Sequence, residues 1–413
     1  MLAFIRVTLP LAAVNLLNQA SRAMLAVIGP LLALEFGLSA SDLGLLAAVL
    51  FVAYAGAQLP VGVALDRYGA RRVQTALAAL SGAAFLLCAL SNNVFTLGLG
   101  RFLTGIGISA GLMAMLKANT QWFPKHRVAA MTGSGVFIGG MGGILATLPL
   151  HALLPLVGWR GGFVILAVMS CAIAAWIWFS LQDAPPGYVR PPKKGLLAEV
   201  KAFGPIFSHP YFLRFVPAIV ILSGLNFVYQ GLWAGPWLRD VAGLDGGQRA
   251  TVLFAYACGM AAGSLGNGQA ASFFQARGHS PMLVPCVAIG AQFCLQVLLI
   301  TAPPANVSAL CLLWFAFAFS GSAGPMAYAA VGQRFSGEYA GRVATAINGS
   351  MLVLVFILQY VIGAIIDLWP RLESGGWNSA GYFWAMGLTL VIQFVTILWA
   401  WRGHALLLQG ARA

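Results

Sequence analysis

Three basic residues, Arg22, Arg101 and Lys117, stand in stretches of sequence that are otherwise almost entirely apolar. Between Leu9 and Leu34, Arg22 is the only residue with a full charge. Removing a cation from water is costly unless an anion or several hydrogen-bond acceptors meet it. The chemistry that these residues offer is therefore the binding of an anion.

Each cation also has a structural alternative. Arg22 could bond the backbone carbonyl groups of a broken helix. For Arg101, a structural or coupling role is supported as well as contact with a ligand. Lys117, about one turn from the end of its apolar segment, could extend its ammonium group to water.

Uncharged polar residues accompany the cations in the first half of the chain. Asn15 and Asn18 precede Arg22 at spacings that place all three on one stripe of a helix. Tyr54 and Gln58 are i and i+4, so they also share a helix face. Such stripes predict the lining of a cavity, with helix–helix hydrogen bonds as the alternative.

The second half supplies neutral groups instead of cations. One stripe follows the helical spacing i, i+3, i+4, i+7, and a further pair is separated by three helical turns. The aromatic members favour a ligand with some apolar surface, and packing between helices is again the alternative. The stripe consists of Asn226, Tyr229, Gln230 and Trp233, and the pair is Asn348 and Gln359.

The composition places the chain in a membrane. Of its 413 residues, 60% are hydrophobic and 8% are charged, with a mean hydropathy of +0.86, whereas soluble proteins carry about 25% charged residues. The net charge of +13 is spread over short loops, which is typical of membrane orientation and not of nucleic-acid binding. The cysteines and histidines show no metal or disulfide spacing, so we expect no metal and no cofactor. No Ser-His-Asp or paired-carboxylate constellation is visible, so we expect no enzyme activity.

Twelve apolar runs are long enough to span a bilayer, which takes roughly 20 residues as a helix. With the N-terminus inside the cell, sixteen of the 23 Lys and Arg residues fall on the inner side and four on the outer side. This asymmetry predicts that both termini are inside, in a multi-pass protein of the cell inner membrane. The predicted spans are 8–33, 43–64, 73–92, 95–118, 128–150, 160–181, 211–234, 249–272, 281–302, 306–330, 342–368 and 380–401.

The two halves of the sequence repeat. The pattern SAG-x-MA within 108–115 recurs within 321–328, and RVAAMTGS (127–134) matches RVATAINGS (342–350) with one insertion. We therefore predict an all-α protein of two six-helix bundles related as parallel repeats. Residues 183–208, which include PPGYVRPPKK, form the expected cytoplasmic linker between domains at 1–182 and 209–413.

A loop motif, GVALDRYGARR at 62–72, follows the second predicted span. Asp66 lies near three arginines and can form charge-assisted hydrogen bonds that lock two helices together. Gly62 and Gly69 allow a close approach and a tight turn. The predicted latch consists of Gly62, Asp66, Arg67, Gly69, Arg71 and Arg72.

This loop resembles the G-x-x-x-D-R-x-G-R-R signature of the major facilitator superfamily, and RFLTGIGISAG (101–111) resembles its fourth-helix motif. The second-half copy of the loop is degraded, since Ser272 stands where Asp is expected. Further segments, such as GLWAGPWLRD and GRVATAIN, are most similar to sugar-phosphate and organic-anion permeases. The resemblance covers the whole chain and implies a latch that closes the inner side in one state, with a substrate site near the midplane.

The ten acidic residues all lie at or beyond the ends of the predicted spans, so no acid at mid-depth is available in sequence to neutralise the three cations. An anionic ligand is the expected counter-charge. We therefore expect a monomeric secondary transporter of a small organic anion, a carboxylate or a phosphorylated compound. Transport would proceed by alternating access, linked to protons or by exchange. The alternatives are an efflux pump for amphipathic drugs or metabolites and a non-transporting receptor on the same fold.

Overall fold

A computed structural model of the protein describes residues 3–182, 203–280, 282–335, 340–373 and 375–403. Within these ranges the regular structure is helical and includes no strand. Ten of the described helices are long and apolar enough to cross a membrane, as expected of a multi-pass membrane protein. Most of the predicted linker, residues 183–202, lies outside the described residues.

The chain forms two compact units. Unit 1 consists of Met1–Leu38 and Leu45–Leu196, and unit 2 consists of Ser39–Gly44 and Leu197–Ala413. The division into six-helix bundles at 1–182 and 209–413 stays a prediction.

Unit 1 begins with a π-helix, Phe4–Thr8, that runs directly into the first α-helix. Its core forms where α1 packs against α6 and where α3 packs against α4 and α7. Gly105 of α4 lies against the backbone of Leu50 in α2, an approach that a Cβ atom would prevent. The helices are α1 Leu9–Phe36, α2 Ala40–Tyr68, α3 Ala70–Ala89, α4 Val94–Gly107, α5 Gly111–Trp122, α6 Lys125–Leu145 and α7 Leu148–Ser180.

Unit 2 is organised around a helical run that is interrupted by a second π-helix, Tyr229–Trp233. This run packs against the helices that follow it, and a separate contact joins α11 to α13. The helices are α8 Gly204–Phe207, α9 Pro210–Val228, α10 Ala234–Asp240, α11 Gly246–Ala276, α12 Leu283–Thr301, α13 Val307–Gly321, α14 Gly324–Gly332, α15 Ala340–Ile366 and α16 Ser379–Trp401.

Each of the twelve predicted spans overlaps a described helix. The predicted span 160–181 agrees with the second part of α7, because the backbone of Leu148–Ser180 is non-helical at Gly158, whose φ is 65°. The predicted span 128–150 runs past the end of α6 at Leu145 and into the first part of α7. Two predicted spans are not among the ten apolar helices: α6 has only a shorter apolar stretch, Ala130–Leu145, and α11 also falls outside the set. The twelve-span layout and the orientation of the termini therefore stay predictions.

The sequence repeat corresponds to a repeated helix break. α4 begins at Val94 and α13 at Val307, and the following helices begin at Gly111 and Gly324. Both pairs of start points are separated by the same offset as the SAG-x-MA repeat. Asn93 and Asn306 also cap their helices in the same way, each accepting a backbone N–H three residues further on. Matching sequence thus produces matching local structure at these positions.

Candidate functional site

Arg22 is buried in α1, with 5% of its surface exposed. Its guanidinium group lies over two aromatic rings of α2, 5.4 Å from the centroid of Phe51 and 4.9 Å from that of Tyr54. The Tyr54 hydroxyl also interacts with the guanidinium group. A desolvated cation over an aromatic face is stabilised by about 2 kcal/mol. The two predicted site residues Arg22 and Tyr54 are therefore in direct contact.

Arg101 is also buried, in α4, with 2% of its surface exposed. Its Nη1 donates a hydrogen bond at 2.9 Å to the backbone oxygen of Ser21, the residue before Arg22. The guanidinium groups of Arg22 and Arg101 are close enough for their charges to repel each other. Because both groups are shielded from water, this repulsion favours an anion in their vicinity.

The uncharged polar residues predicted to accompany Arg22 lie in two different places in unit 1. Asn18 is 3% exposed and lies one turn before Arg22, and its Oδ1 accepts no hydrogen bond from a described residue. Asn15 is half-buried and packs against Gly139 of α6. Gln58 is buried in α2, one turn after Tyr54. Asn18 and Gln58 thus lie one turn from the contact between Arg22 and Tyr54, whereas Asn15 contacts α6.

Lys117 lies apart from this group. Its ammonium group forms an ion pair with Asp66 and donates a hydrogen bond to the backbone oxygen of Leu65 at 3.1 Å. The expectation that no acid neutralises Lys117 is therefore wrong, because the fold brings α5 against the end of α2. The side chains of Lys117 and Asp66 are 32% and 72% exposed, so water screens the pair.

The loop motif takes the predicted turn at one of its two glycines. Gly69 has a φ of 87°, a conformation that only glycine adopts at low cost, and it separates α2 from α3. At Gly62, an added Cβ would meet no described atom within 4 Å. The predicted close approach at Gly62 is therefore wrong, since this face of α2 has no neighbour there among the described residues.

The arginines of the motif have partners other than the one predicted from sequence. Arg71 donates its Nε–H to the backbone oxygen of Trp178 at 2.8 Å and lies 4.6 Å from the centroid of that ring. Arg67 lies over the ring of Tyr68, and Arg72 is exposed. In the described structure the ion pair of Asp66 is thus made with a lysine of α5.

The predicted polar stripe of the second half is not one α-helical face. Tyr229–Trp233 are π-helical, and their i→i+5 bonds break the α-helical spacing. Asn226 consequently contacts α13, where its Nδ2 donates to the Ala318 oxygen at 3.0 Å. Trp233 instead contacts α15, where its Nε1 donates to the Gln359 backbone oxygen at 3.2 Å. The expectation of a single face is wrong for these residues.

Gln359 stabilises the π-helical turn. Its Nε2 donates to the backbone oxygen of Val228 at 3.1 Å, immediately before the turn, and its own carbonyl accepts from Trp233. A π turn leaves a backbone carbonyl without its usual helical partner, and a buried carbonyl of this kind needs another donor. Gln359, which is fully buried, supplies that donor.

The remaining candidates of unit 2 differ in how many partners they have. The Asn226 Oδ1 accepts a hydrogen bond from the Tyr256 hydroxyl at 2.8 Å, so both ends of this amide have internal partners. Gln230 is 5% exposed, and its Oε1 accepts no hydrogen bond from the described part of the chain. Asn348 is half-buried. Gln230 is thus the buried candidate of the π turn with an amide oxygen left to bind a donor.

Aromatic rings surround the π turn in unit 2. Trp314 lies at the centre of the cluster, with its ring centroid 5.5 Å from those of Tyr229 and Trp237 and 5.7 Å from that of Phe317. The rings meet edge to face, an arrangement worth about 0.5–1.5 kcal/mol per pair beyond burial. Tyr229, a predicted binding residue, is 1% exposed and forms part of this cluster.

The Major Facilitator Superfamily profile matches residues 11–358, which is most of the chain. The chain belongs to the Major Facilitator Superfamily. The resemblance expected from the loop motif and the fourth-helix motif is thereby confirmed.

Curated superfamily members with similar sequences include organic-anion transporters. A probable sulfoacetate transporter of Cupriavidus necator is 27% identical over 169 residues, 41% of this chain and 39% of that protein. The 4-hydroxybenzoate transporter of Pseudomonas aeruginosa is also 27% identical over 169 residues, 41% of this chain and 38% of that protein. Each alignment therefore spans less than two fifths of the relative's own length.

A solved structure has the same helical fold as this chain. A bacterial homologue of the human lysosomal transporter Spinster, crystallised in an inward-facing and unoccupied conformation, aligns with a TM-score of 0.77 at 18% identity. The alignment covers 98% of both chains. The chain therefore shares the helical fold of that structure over nearly its whole length.

One polar network of this superfamily member was missed by the sequence analysis. In unit 2, Gln292 and Gln296 of α12 face Gln393 and Thr389 of α16. The Gln393 Nε2 donates to the Gln292 Oε1 at 3.0 Å, and the Gln296 Nε2 donates to the Thr389 Oγ1 at 2.7 Å. The signal was the i, i+4 spacing of the polar residues in each apolar helix. The network is fully buried and joins two antiparallel helices.

No metal centre can be added to the site from the described residues, which hold no group of three or more His, Cys, Asp or Glu side chains. The geometry instead offers two kinds of group in separate units. Unit 1 has two adjacent buried guanidinium groups with aromatic neighbours. Unit 2 has amides and aromatic rings. Four of its buried glutamines retain a side-chain oxygen without a described donor: Gln230, Gln296, Gln359 and Gln393.

Proposed function

We propose that the protein is a secondary transporter of a small organic anion and that Arg22 binds the anionic group. The observation that carries this proposal is the burial of two guanidinium groups in neighbouring parts of unit 1, where Arg101 donates a hydrogen bond to the backbone of Ser21, the residue before Arg22. An anion between or beside them removes the repulsion of the two charges and gains charge-assisted hydrogen bonds. A guanidinium group also matches the geometry of a carboxylate, which it can bind through two parallel hydrogen bonds.

The two arginines have different roles in this proposal. Arg101 already donates to the Ser21 backbone, so it holds α1 in place and contributes its positive charge. Arg22 is the contact residue, and Asn18 and Gln58 supply neutral hydrogen-bonding groups one turn away. The rings of Phe51 and Tyr54 lie beside Arg22 and give the site an apolar wall.

The similar proteins support a small organic anion. Two superfamily members with related sequences are named as transporters of sulfoacetate and of 4-hydroxybenzoate. Both compounds combine a compact anionic group with a short or planar carbon skeleton, as the arginines and the aromatic wall of unit 1 would require. A carboxylate is our first choice of substrate, and a phosphorylated compound is the second.

The remaining elements of the transport proposal concern the whole chain. We propose twelve spans in two six-helix bundles, both termini inside, in the cell inner membrane, with alternating access linked to protons or to anion exchange. The ion pair between Lys117 and Asp66 belongs to the latch end of unit 1 in this scheme. In unit 2, Gln230 and Asn348 are the proposed polar contacts, whereas Asn226 and Gln359 serve mainly to hold helices.

The proposal is tested by Arg22→Gln in the purified full chain. Thermal unfolding in detergent would be followed with added benzoate, sulfoacetate, tartrate and glucose 6-phosphate at constant ionic strength. We expect at least one of these anions to stabilise the wild-type protein and Arg22→Gln to abolish that effect. The matched control is Arg6→Gln, which removes an exposed arginine near the start of the same helical run.

Two outcomes would contradict the proposal. Undiminished anion binding by Arg22→Gln would show that Arg22 is not the contact residue. Stabilisation by amphipathic cations, with no response to any anion, would favour the efflux alternative. Uptake of the stabilising anion into proteoliposomes then separates a transporter from a receptor that binds the anion without moving it.

A further inference from the structure

A second group of basic residues lies in unit 2, where α10 ends and where α11 and α16 begin. Arg239 is the second-last residue of α10, Arg249 lies in the first turn of α11, and Arg371 lies in the segment between α15 and α16. The guanidinium groups of Arg239 and Arg371 both approach the ring of Trp377, with distances of 5.1 Å and 5.7 Å from the guanidinium carbon to the ring centroid. Arg249 is close enough to Arg239 for their charges to interact. We call these four residues the arginine cluster.

The buried acid beside the cluster, Asp240, already accepts several hydrogen bonds. The side chain of Asp240 is 3% exposed and accepts two hydrogen bonds from Arg239, at 2.6 Å and 3.0 Å. It also accepts one from the Trp377 backbone N–H at 3.2 Å and one from the Tyr382 hydroxyl at 2.7 Å. A carboxylate has about four acceptor positions. Asp240 therefore has little capacity left for Arg249 or Arg371.

The cluster consequently contains more donors than acceptors. Nη1 of Arg249 and Nε1 of Trp377 are both buried, and neither has an acceptor among the described residues. Trp377 itself is 3% exposed. A buried donor without an acceptor costs about 1–3 kcal/mol. Two such donors in one cluster point to an acceptor-rich ligand.

The charges around Arg249 also favour a ligand that accepts hydrogen bonds. Arg249 experiences repulsion from Arg239 and attraction from Asp240 and Asp245. Asp245 is committed to the start of α11, where it accepts the Gln248 backbone N–H at 2.9 Å. Glu373, the other acid of this region, is exposed. An additional anion that reached Arg249 would meet this positive charge without displacing the ion pair between Arg239 and Asp240.

Arg371 can open the cluster at low cost. Its side chain is exposed, and its hydrogen bond to the Gly375 oxygen is long, at 3.4 Å. Rotation of this side chain breaks this one weak hydrogen bond and its contact with the ring of Trp377. The same guanidinium group can then donate to a ligand that reaches Arg249.

We propose that the arginine cluster is a second anion site, located in unit 2 and separate from Arg22, and that it binds a small carboxylate or other oxyanion. The anion accepts hydrogen bonds from Arg249 Nη1 and Trp377 Nε1 and is covered by Arg371. This proposal rests on the proposed function in one respect: it takes the transported anion as the natural ligand of the second site. In the predicted orientation this end of unit 2 faces the outside, where the site would collect substrate before transport.

The test uses the full chain in detergent, with sodium benzoate as the probe and sodium chloride to hold ionic strength constant. Binding would be measured by titration calorimetry in the Arg22→Gln background, so that only a site apart from Arg22 contributes. We expect residual benzoate binding in that background and a loss of about tenfold or more in affinity on adding Arg249→Gln. Trp377→Phe removes the indole donor but keeps a ring, and it should weaken binding severalfold.

The matched control is Arg277→Gln, which removes one exposed arginine of the same unit outside the cluster. It should bind benzoate as the Arg22→Gln parent does. Equal affinity in the parent, Arg249→Gln and Trp377→Phe would overturn the second site. If the parent binds no benzoate while the wild-type protein does, the second site is also absent, whereas the Arg22 proposal survives.

A lipid headgroup offers the same oxyanion chemistry, and a second arm separates the two sources. The Arg22→Gln protein would be placed in nanodiscs of phosphatidylcholine alone and of phosphatidylcholine with phosphatidylglycerol. Benzoate binding that is equal in both supports a site for soluble anions. Binding that disappears with phosphatidylglycerol would assign the cluster to lipid and overturn the soluble-anion proposal. Thermal unfolding of each variant checks that it is folded.

Discussion

Arg101 and Trp314 occupy corresponding positions in two helices that begin and break with the same spacing, yet their surroundings are opposite in character. Arg101 lies in unit 1, donates to the Ser21 backbone and repels the charge of Arg22. Trp314 lies in unit 2 at the centre of a cluster of aromatic rings, and its Nε1 has no acceptor among the described residues. One repeated backbone thus carries a cationic interior in one unit and an aromatic interior in the other.

The same contrast extends to the groups nearby. The interior of unit 1 contains two arginines, held by a backbone oxygen and by aromatic faces. The interior of unit 2 contains glutamines and a threonine that bond one another across helices. Charge demands a counter-ion, whereas amides can satisfy one another. Unit 1 is therefore suited to bind an anion, and unit 2 to position helices around a π turn.

The largest effect on folding is expected when an arginine, as found in the interior of unit 1, replaces Trp314 in the interior of unit 2. Trp314→Arg would place a guanidinium group among buried rings with no described acceptor, and an arginine in a membrane-spanning helix costs about 3 kcal/mol or more. We expect loss of folded protein, measured by yield and by size-exclusion chromatography. Trp314→Phe, which keeps the ring cluster, should remain folded. A Trp314→Arg protein as stable as wild type would show that unit 2 tolerates charge as unit 1 does.

Removal of Arg101, one of the two buried cations of unit 1, should have the next largest effect. Arg101→Leu eliminates the hydrogen bond to Ser21 and the second positive charge, so we expect anion affinity to fall by about tenfold or more, since hydrogen bonds of charged groups contribute about 1.5–3 kcal/mol. Titration calorimetry with the stabilising anion measures this. Arg101→Lys restores the charge and should recover part of the affinity. Equal affinity in all three proteins would assign Arg101 to packing alone.

A smaller effect is expected at the π turn of unit 2. Gln359→Leu leaves the Val228 carbonyl without its donor, and interhelical hydrogen bonds in membranes contribute about 0.6–1.7 kcal/mol. We expect a lowered unfolding temperature in detergent. Asn348→Leu, in the same helix but half-buried, serves as the control and should change the temperature less. The reverse order of the two variants would contradict the role given to Gln359.

The smallest effect on stability is expected at the latch end of unit 1. Asp66→Asn removes the ion pair with Lys117, but the pair is exposed to water and such pairs contribute about 0–1 kcal/mol. We expect nearly unchanged unfolding and anion affinity, with a changed initial rate of uptake in proteoliposomes. Lys117→Gln should give the same rate, and the double variant should add nothing further. Additive effects would show that the two residues act separately.

The arginines show how far sequence reasoning reaches. The helical stripes predict Arg22 and Tyr54 as site residues, and the two are in contact because the stripes of α1 and α2 that carry them face each other. Lys117 was predicted in the same way but pairs with Asp66, since its position near a helix end allows its long side chain to reach the loop. Helical spacing indicated which face each residue occupies but not which neighbour that face meets.

In the second half of the chain, helical spacing failed to predict which residues share a face. Asn226 and Trp233 follow α-helical spacing in sequence, but the π turn between them directs them to different helices. A π turn has no reliable sequence signature, because it depends on the helices that pack around it. The arginine cluster was likewise invisible, since its members come from three separate segments with no common motif.

The sequence by itself determined that this protein lies in a membrane, is helical, belongs to its superfamily and carries arginines in apolar segments. These features follow from composition, hydrophobic run length and local motifs, which act over short distances along the chain. The tertiary structure alone decided that Arg101 lies beside Arg22, that Lys117 pairs with Asp66 and that Gln359 completes the π turn. Such pairings depend on which helices pack together, and that packing is set by the fit of whole surfaces and not by any one stretch of sequence.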